Sequence, residues 1–422
     1  MSLLRAHRDF RLFWVGETIN RFGSATSSVA LPLVAISMLD ATTFQVGLLT
    51  AAAWAPWLLI GLPTGAWIDR IRRRPVMLAS CVASCLLFAA VPVAAACQLL
   101  TIQLLLAIAL LAGAASVVFQ TAYTAYLPTL LDPPDHPEGN AKLHGSASAA
   151  QIAGLGCGGL MVQLVGASNA LLIDASSFLV ALACLAAIRF REHHTRAPRT
   201  PGAIREGIRL VLHDVWLRTL MIFGAVSNLA LMGYQAIVVV FLVREAGLTA
   251  GSVGTLIAAA SSGGVVGAFV ARRVMRFGTA RALLFCELGL PTLALLIPLG
   301  GVSPVFYLIG GFGVSLGVVG GNVVKVTFLQ SYCPPEMLGR LTATTSFVNY
   351  GTIPLGALLG GTLGQTLGLT PALWITTAGV PLAALVLLAS PIRRHRDLPP
   401  HQGTVAPGST ADSKRRRTAS RA

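Results

Sequence analysis

Long apolar runs alternate with short polar gaps along almost the whole chain. About 20 mainly apolar residues cross a bilayer core as an α-helix. Twelve stretches reach that length, at roughly 12–38, 44–68, 76–98, 101–127, 145–165, 168–189, 217–243, 252–274, 281–300, 304–328, 342–364 and 370–391. The runs are continuously apolar rather than alternating in short segments, so the pattern predicts an all-α membrane protein and excludes a β-barrel. Two stretches break the pattern. Residues 190–216 form a long basic connection, and its amphipathic part, Ala203 to Val215, reads as a short interfacial helix. Residues 392–422 are rich in Pro, Gly, Ser, Thr and Arg without apolar periodicity, which predicts a disordered tail. The predicted organisation is a six-helix bundle over 1–189, a cytoplasmic central loop over 190–216, a second six-helix bundle over 217–391 and a basic cytoplasmic tail over 392–422.

Composition supports that reading. The 422 residues are 55% hydrophobic and 11% charged, with a mean hydropathy of +0.73. A soluble domain carries about 25% charged residues, so this chain lacks the polar shell of a soluble enzyme. The net charge of +15 does not indicate nucleic-acid binding, because the cations cluster between apolar runs. One set of gaps carries Arg5, Arg8 and Arg11, then Arg70 to Arg74, Arg189 to Arg218, Arg272 to Arg276, Arg340 and Arg393 to Arg396. The other set has Arg244 as its sole cation. The positive-inside rule then places both termini in the cytoplasm. The first apolar run continues to about Met38, longer than the ~7–15 residues of a cleavable signal's apolar core. The seven cysteines include no CxxC pair, so neither a zinc site nor a disulfide framework is indicated.

The two halves resemble each other. Gly65-Ala66-Trp67-Ile68-Asp69-Arg70 closes the second run, and Gly267-Ala268-Phe269-Val270-Ala271-Arg272 closes the eighth, 202 residues later. Leu155-Gly156 and Leu355-Gly356, in the fifth and eleventh runs, are 200 apart, as are Gly139-Asn140 and Gly339-Arg340 before them. Parallel repeats of this kind build transporters whose site lies between the halves near the bilayer midplane.

The segment Gly65-Ala66-Trp67-Ile68-Asp69-Arg70-Ile71-Arg72-Arg73-Arg74 resembles the loop-two/three signature of the major facilitator superfamily, with Arg72 where that pattern has Gly. Resemblance runs from Phe10 to about Ile392. Asp174-Ala175-Ser176-Ser177-Phe178, Ile204-Arg205-Glu206-Gly207 and Gly339-Arg340-Leu341 are similar to a branch containing macrolide efflux proteins and the enterobactin exporter. The resemblance implies a cytoplasmic latch between the halves formed by Gly65, Asp69, Arg70, Arg73 and Arg74. Gly65 is expected to admit a neighbouring helix closely. The stretch Gly154-Leu155-Gly156-Cys157-Gly158-Gly159 resembles the family's antiporter motif with Leu155 in place of Pro, and the helix-four Arg of other drug antiporters is absent. Both the motif and generic small-residue packing account for these glycines.

Charges inside the apolar runs supply candidate chemistry. Glu17 and Arg21 are four apart and share a helix face. Arg21 lies about 13 Å along the helix from Leu12, near mid-membrane, where an unpaired charge costs ~3 kcal/mol or more. The pair reads as a proton-coupling site or as a structural ion pair. Asp174 and Glu287 are the other proton-coupling candidates, and Lys325 is expected to snorkel to the surface. Amides and aromatics that suit a cavity wall are Asn20, Trp54, Trp57, Gln120, Tyr123 and Asn228, followed by Tyr234, Gln235, Asn322, Asn349 and Tyr350. None of the three lysines (Lys142, Lys325, Lys414) is followed by Ser or Thr, so no phosphate-binding Walker loop is present. No metal, cofactor or hydrolase motif appears.

The expectation is a twelve-helix secondary transporter, monomeric, without cofactor or nucleic-acid partner. It exports a small, partly apolar molecule across a bacterial cytoplasmic membrane in exchange for protons. Export rests on the family resemblance. A nutrient or siderophore importer, or a non-transporting membrane sensor or assembly partner, is the alternative.

Overall fold

The structure is a computed structural model that describes residues 3–68, 70–189, 209, 211–333 and 335–399. Among the described residues there is no strand. Long helices run in chain order as α1 (Arg8–Leu39), α2 (Thr43–Ile68), α3 (Arg73–Ala96), α4 (Ile102–Tyr126), α5 (His136–Val165) and α6 (Ala167–Ala187). They continue as α7 (Val215–Arg244), α8 (Ala250–Ser261 and Gly263–Val274), α9 (Thr279–Gly301), α10 (Pro304–Tyr332), α11 (Pro335–Leu367) and α12 (Leu369–Leu388). Eleven have the length and hydropathy of a membrane span, and α11 adds a twelfth long helix of 33 residues with a more polar first half. Leu59, Leu86, Leu164 and Phe269 on the outer surface are each more than 60% exposed, as an apolar solvent requires.

Helices α1–α6 pack mainly on one another, as do α7–α12, and the crossings α2/α11 and α5/α8 join the two groups. The repeat is visible in the backbone. The turn into α6 pivots on Gly166 (φ 89°, ψ 157°) and the turn into α12 on Gly368 (φ 91°, ψ 162°), 202 residues later. Side chains are essentially barred from that region of backbone space, so glycine is required at both places.

Three expectations need correction. Helix α5 begins at His136 rather than 145, and α11 at Pro335 rather than 342. Apolar content underestimates both, because their first turns are polar. In α5, Lys142 pairs with Glu138 at 3.3 Å, four residues apart. The chain from 392 to 399 is also ordered. Ile392 is fully buried and Leu398 is 8% exposed. The Thr279 N–H donates to Asp397 Oδ1 at 2.9 Å, the Leu398 N–H donates to Thr279 Oγ1 at 2.8 Å, and the Ala280 N–H donates to the Arg396 carbonyl at 3.2 Å. The segment thus satisfies the open donors at the start of α9. The tail beyond 399 and residues 190–208 and 210 of the central loop, including about half of the expected surface helix, lie outside the described residues.

Candidate transport site

Glycine-lined crossings join the two groups toward the end of the bundle opposite the chain termini. At α5/α8, a Cβ on Gly159 would fall on the Ala250 carbonyl and 2.7 Å from Gly254 Cα. At α2/α11, a Cβ on Gly47 would lie 2.8 Å from both the Ala357 carbonyl and Gly361 Cα. The same side carries an inter-group strap, in which Arg244 Nη2 meets Asp40 Oδ1 at 3.2 Å and donates to the Ala41 carbonyl at 2.8 Å. The glycines of the α5 motif are therefore packing devices on two sides. Gly154 and Gly158 lie against the backbone of α1 at Phe22 and Thr26, while Gly159 faces α8.

On the terminus-bearing side each group holds a pocket lined by both polar and apolar side chains. The pocket of the first group measures 320 Å3 and is floored by Glu17 and Arg21. Arg21 Nε donates to Glu17 Oε1 at 2.6 Å, and Arg21 Nη2 donates to Gln120 Oε1 of α4 at 2.7 Å. The Glu17 side chain is 5% exposed and that of Arg21 is 38% exposed, so the carboxylate is sealed and the guanidinium faces the pocket. Among the described residues, Glu17 Oε2 has no hydrogen-bond donor. Tyr123 stacks on Phe13 at 5.0 Å and completes the wall with Asn140, His136 and His144 of α5. The sequence pattern alone does not single out the two histidines. The helical start of α5 brings them to the pocket, and a polar run read as loop hid that placement.

The other candidates divide. Asn322 and Asn349 line a second pocket, in the other group. Trp54, Trp57 and Tyr350 form one aromatic cluster across α2/α11, with Trp57 and Tyr350 centroids 4.5 Å apart. Asn228 Nδ2 donates to the Asn349 carbonyl at 2.6 Å and so ties α7 to α11. Tyr234 (6% exposed) sits in the apolar core and Asn20 (6%) is buried, so neither is open cavity wall, whereas Gln235 is exposed. Asp174 is 1% exposed at the α1/α6 contact, where Ser177 Oγ donates to Oδ1 at 3.2 Å and Gly23 packs against it. Among the latch residues, Asp69 lies outside the described residues. Arg70 is exposed, and Gly65 has open space where a close neighbour was expected. Arg74 caps α6, donating to the carbonyls of Leu185 at 3.0 Å and Ala186 at 2.7 Å. Lys325 does not snorkel to the surface, since its Nζ lies 2.7 Å from Glu287 Oε1.

The family model described as Major Facilitator Superfamily matches residues 13–353. The chain belongs to the major facilitator superfamily. Within it, the chain is 27% identical to the multidrug efflux pump Tap of Mycobacterium tuberculosis, over 92% of this chain and 95% of that protein. It is also 27% identical to the enterobactin exporter EntS of Escherichia coli, over 97% and 98% of the two chains. A bacterial homologue of the iron transporter ferroportin, solved in an inward-facing state, superposes with a TM-score of 0.74 at 16% identity, covering 92% of this chain and 99% of that one. The family and the named relatives are transporters, not enzymes.

Proposed function

We propose that this facilitator-family chain is a proton-coupled exporter of small, partly apolar molecules across a bacterial cytoplasmic membrane, with both termini inside. The observation that carries the reading is the Glu17–Arg21–Gln120 cluster in a pocket on the arginine-rich side, with the opposite side sealed by glycine crossings. The names of the relatives, a multidrug efflux pump and an enterobactin exporter, support the outward direction.

Charge accounting gives the cycle. With Glu17 ionised, the buried pair is neutral and the pocket accepts cargo from the cytoplasm. A proton arriving from outside converts Glu17 to the neutral acid and releases Arg21. This alters the local field at the cargo by one charge in a medium where such a charge is costly. Return to the inward state discharges the proton inside. His136 and His144 face the same pocket and are its other titratable side chains, together with Tyr123.

Glu17→Gln keeps shape and polarity but cannot titrate. Cells producing it should lose gradient-dependent extrusion of ethidium, at least tenfold in initial rate, while downhill exchange of ethidium persists in proteoliposomes. Asp174→Asn and Glu287→Gln are run beside it. Undiminished pumping by Glu17→Gln, with an unchanged pH profile, removes Glu17 from the coupling role.

The latch formed by Gly65, Asp69, Arg70, Arg73 and Arg74 belongs to the same proposal, as a contact made when the terminus-bearing side closes. Asp69→Asn should cut transport several-fold at near-normal membrane abundance, because a charge at a helix end contributes little to folding. Quantitative immunoblotting beside the ethidium assay checks this, and full transport by the variant ends the latch assignment.

A further inference from the structure

The second wall holds a cation–carboxylate pair of its own. At the repeat offset of 202 residues, Gln120 corresponds to Asn322, Tyr123 to Lys325 and Arg21 to Phe223. In the first group the cation stands on α1 and the aromatic ring on α4. In the second the cation stands on α10 and the ring on α7, with Lys325 Nζ 5.3 Å from the Phe223 ring centroid. Each half thus presents one cation, one amide and one ring at equivalent positions, with the cation and ring exchanged between helices.

The carboxylate partner of Lys325 is built in from behind. Glu287 is 3% exposed and does not line the pocket. Its side chain fills a notch over Gly321, one turn before Lys325 on α10, where any Cβ would overlap the carboxylate. The backbone widens to receive it. Pro291 has no N–H to bond the Glu287 carbonyl, and α9 passes through a π turn at Phe285–Gly289, with the Leu290 N–H reaching the Phe285 carbonyl at 3.0 Å. π turns of this kind gather at functional sites.

Lys325 itself lines a 380 Å3 pocket between α7, α10 and α11, within the size range of small-molecule sites. An ammonium has three donors. Glu287 takes one side and the Phe223 ring covers another. The remaining side looks into a space bordered by Asn322 and Asn349, with Leu220, Met221 and Val326 as apolar walls. A cation in low dielectric, flanked by amide groups beside apolar walls, is matched to an anionic group carried on an apolar body.

We propose that this pocket is a substrate subsite that takes the anionic group of an amphipathic molecule on Lys325, in competition with Glu287. The proposal rests on the transporter reading and adds to it one class of cargo, anionic amphipathic molecules taken on the second wall, beside the cations read by the ethidium assay.

The test is equilibrium binding of 2-naphthoate and its uncharged analogue 2-naphthamide to the full-length protein. The protein is held in nanodiscs of zwitterionic lipid, with no proton gradient. Native protein should prefer naphthoate over naphthamide at least tenfold. Glu287→Gln removes the internal competitor and should tighten naphthoate several-fold. Lys325→Gln should abolish the preference while leaving naphthamide within about twofold. Because Lys325→Gln leaves Glu287 buried without its cation, the double variant Glu287→Gln/Lys325→Gln, neutral at both positions, is measured too and should also lack the preference. Lys325→Arg should restore it. Repeating the native titration in discs containing phosphatidylglycerol separates sources. Competition by that lipid assigns the same subsite to a headgroup anion, and its absence assigns it to soluble cargo. Equal binding of the two probes to native protein, or a naphthoate preference that survives in the double variant, overturns the proposal. Because no gradient is present, a failed Glu17→Gln transport assay leaves this result standing, and a failed titration leaves the transport reading standing.

Discussion

Gly159→Leu should hold the two helix groups apart on the side opposite the termini and reduce transport at least tenfold. The backbone of α8 occupies the space into which any side chain at 159 must grow, with the Ala250 carbonyl and Gly254 Cα in the way. Backbone cannot rotate aside as a flexible side chain does. Overpacking of this kind costs ~1–3 kcal/mol, which shifts a two-state equilibrium by roughly one to two powers of ten. The conformer closed on that side bears the whole penalty, so the population should move to states open there. In a cysteine-depleted background, nitroxides at Leu164 of α5 and Ser252 of α8 should report a longer and broader distance distribution. Gly145→Ala on the same helix is the control, since nothing lies within 4 Å of its Cβ position. A native-like distance distribution for Gly159→Leu would show that α5 and α8 do not gate that side.

Arg21→Leu should be the most destabilising exchange in the first pocket. It strands Glu17 in a site where 5% of its side chain is exposed and no other cation contacts it among the described interactions. Removing one partner of a buried pair typically costs ~3–5 kcal/mol, and the 38% exposure of Arg21 favours the lower end. At about 2–4 °C per kcal/mol for a large domain, the melting temperature of the detergent-solubilised protein should fall by ~6–12 °C. Glu17→Gln/Arg21→Leu leaves no stranded charge and should recover more than half of that loss. If the double variant melts as low as Arg21→Leu, the loss arises from packing of the guanidinium stem rather than from electrostatics.

Much of the fold is legible in the sequence. Continuous apolar runs specify membrane helices because the bilayer leaves the backbone no other way to satisfy its polar groups. The offset of 202 residues pairs Gly166 with Gly368 as well as Gly65 with Gly267. The Glu17–Arg21 pair follows from helical spacing alone. Three features were not legible, each for its own reason. The starts of α5 and α11 are polar helix, invisible to a hydropathy argument. Lys325 looked like a surface-seeking cation because its partner lies on another helix, 38 residues earlier, in a π turn that no local pattern announces. The offset that maps Tyr123 onto Lys325 held that information, since it places the lysine at the depth of the first pocket. The roles of Asn228 and Tyr234 depend on which way α7 is rotated, and an almost uniformly apolar helix gives no clue to that.

The docked segment after α12 redefines where this protein can be shortened. A truncation placed by composition, after Ile392, would leave the amides of Thr279 and Ala280 without their acceptors and remove the apolar anchor Leu398 from beneath α9. Fraying would then begin at the end of α9 nearest Glu287. A fusion partner or protease site belongs beyond Pro399, and damage from an earlier cut would surface as altered behaviour of the Lys325 pocket rather than as simple loss of a dispensable tail.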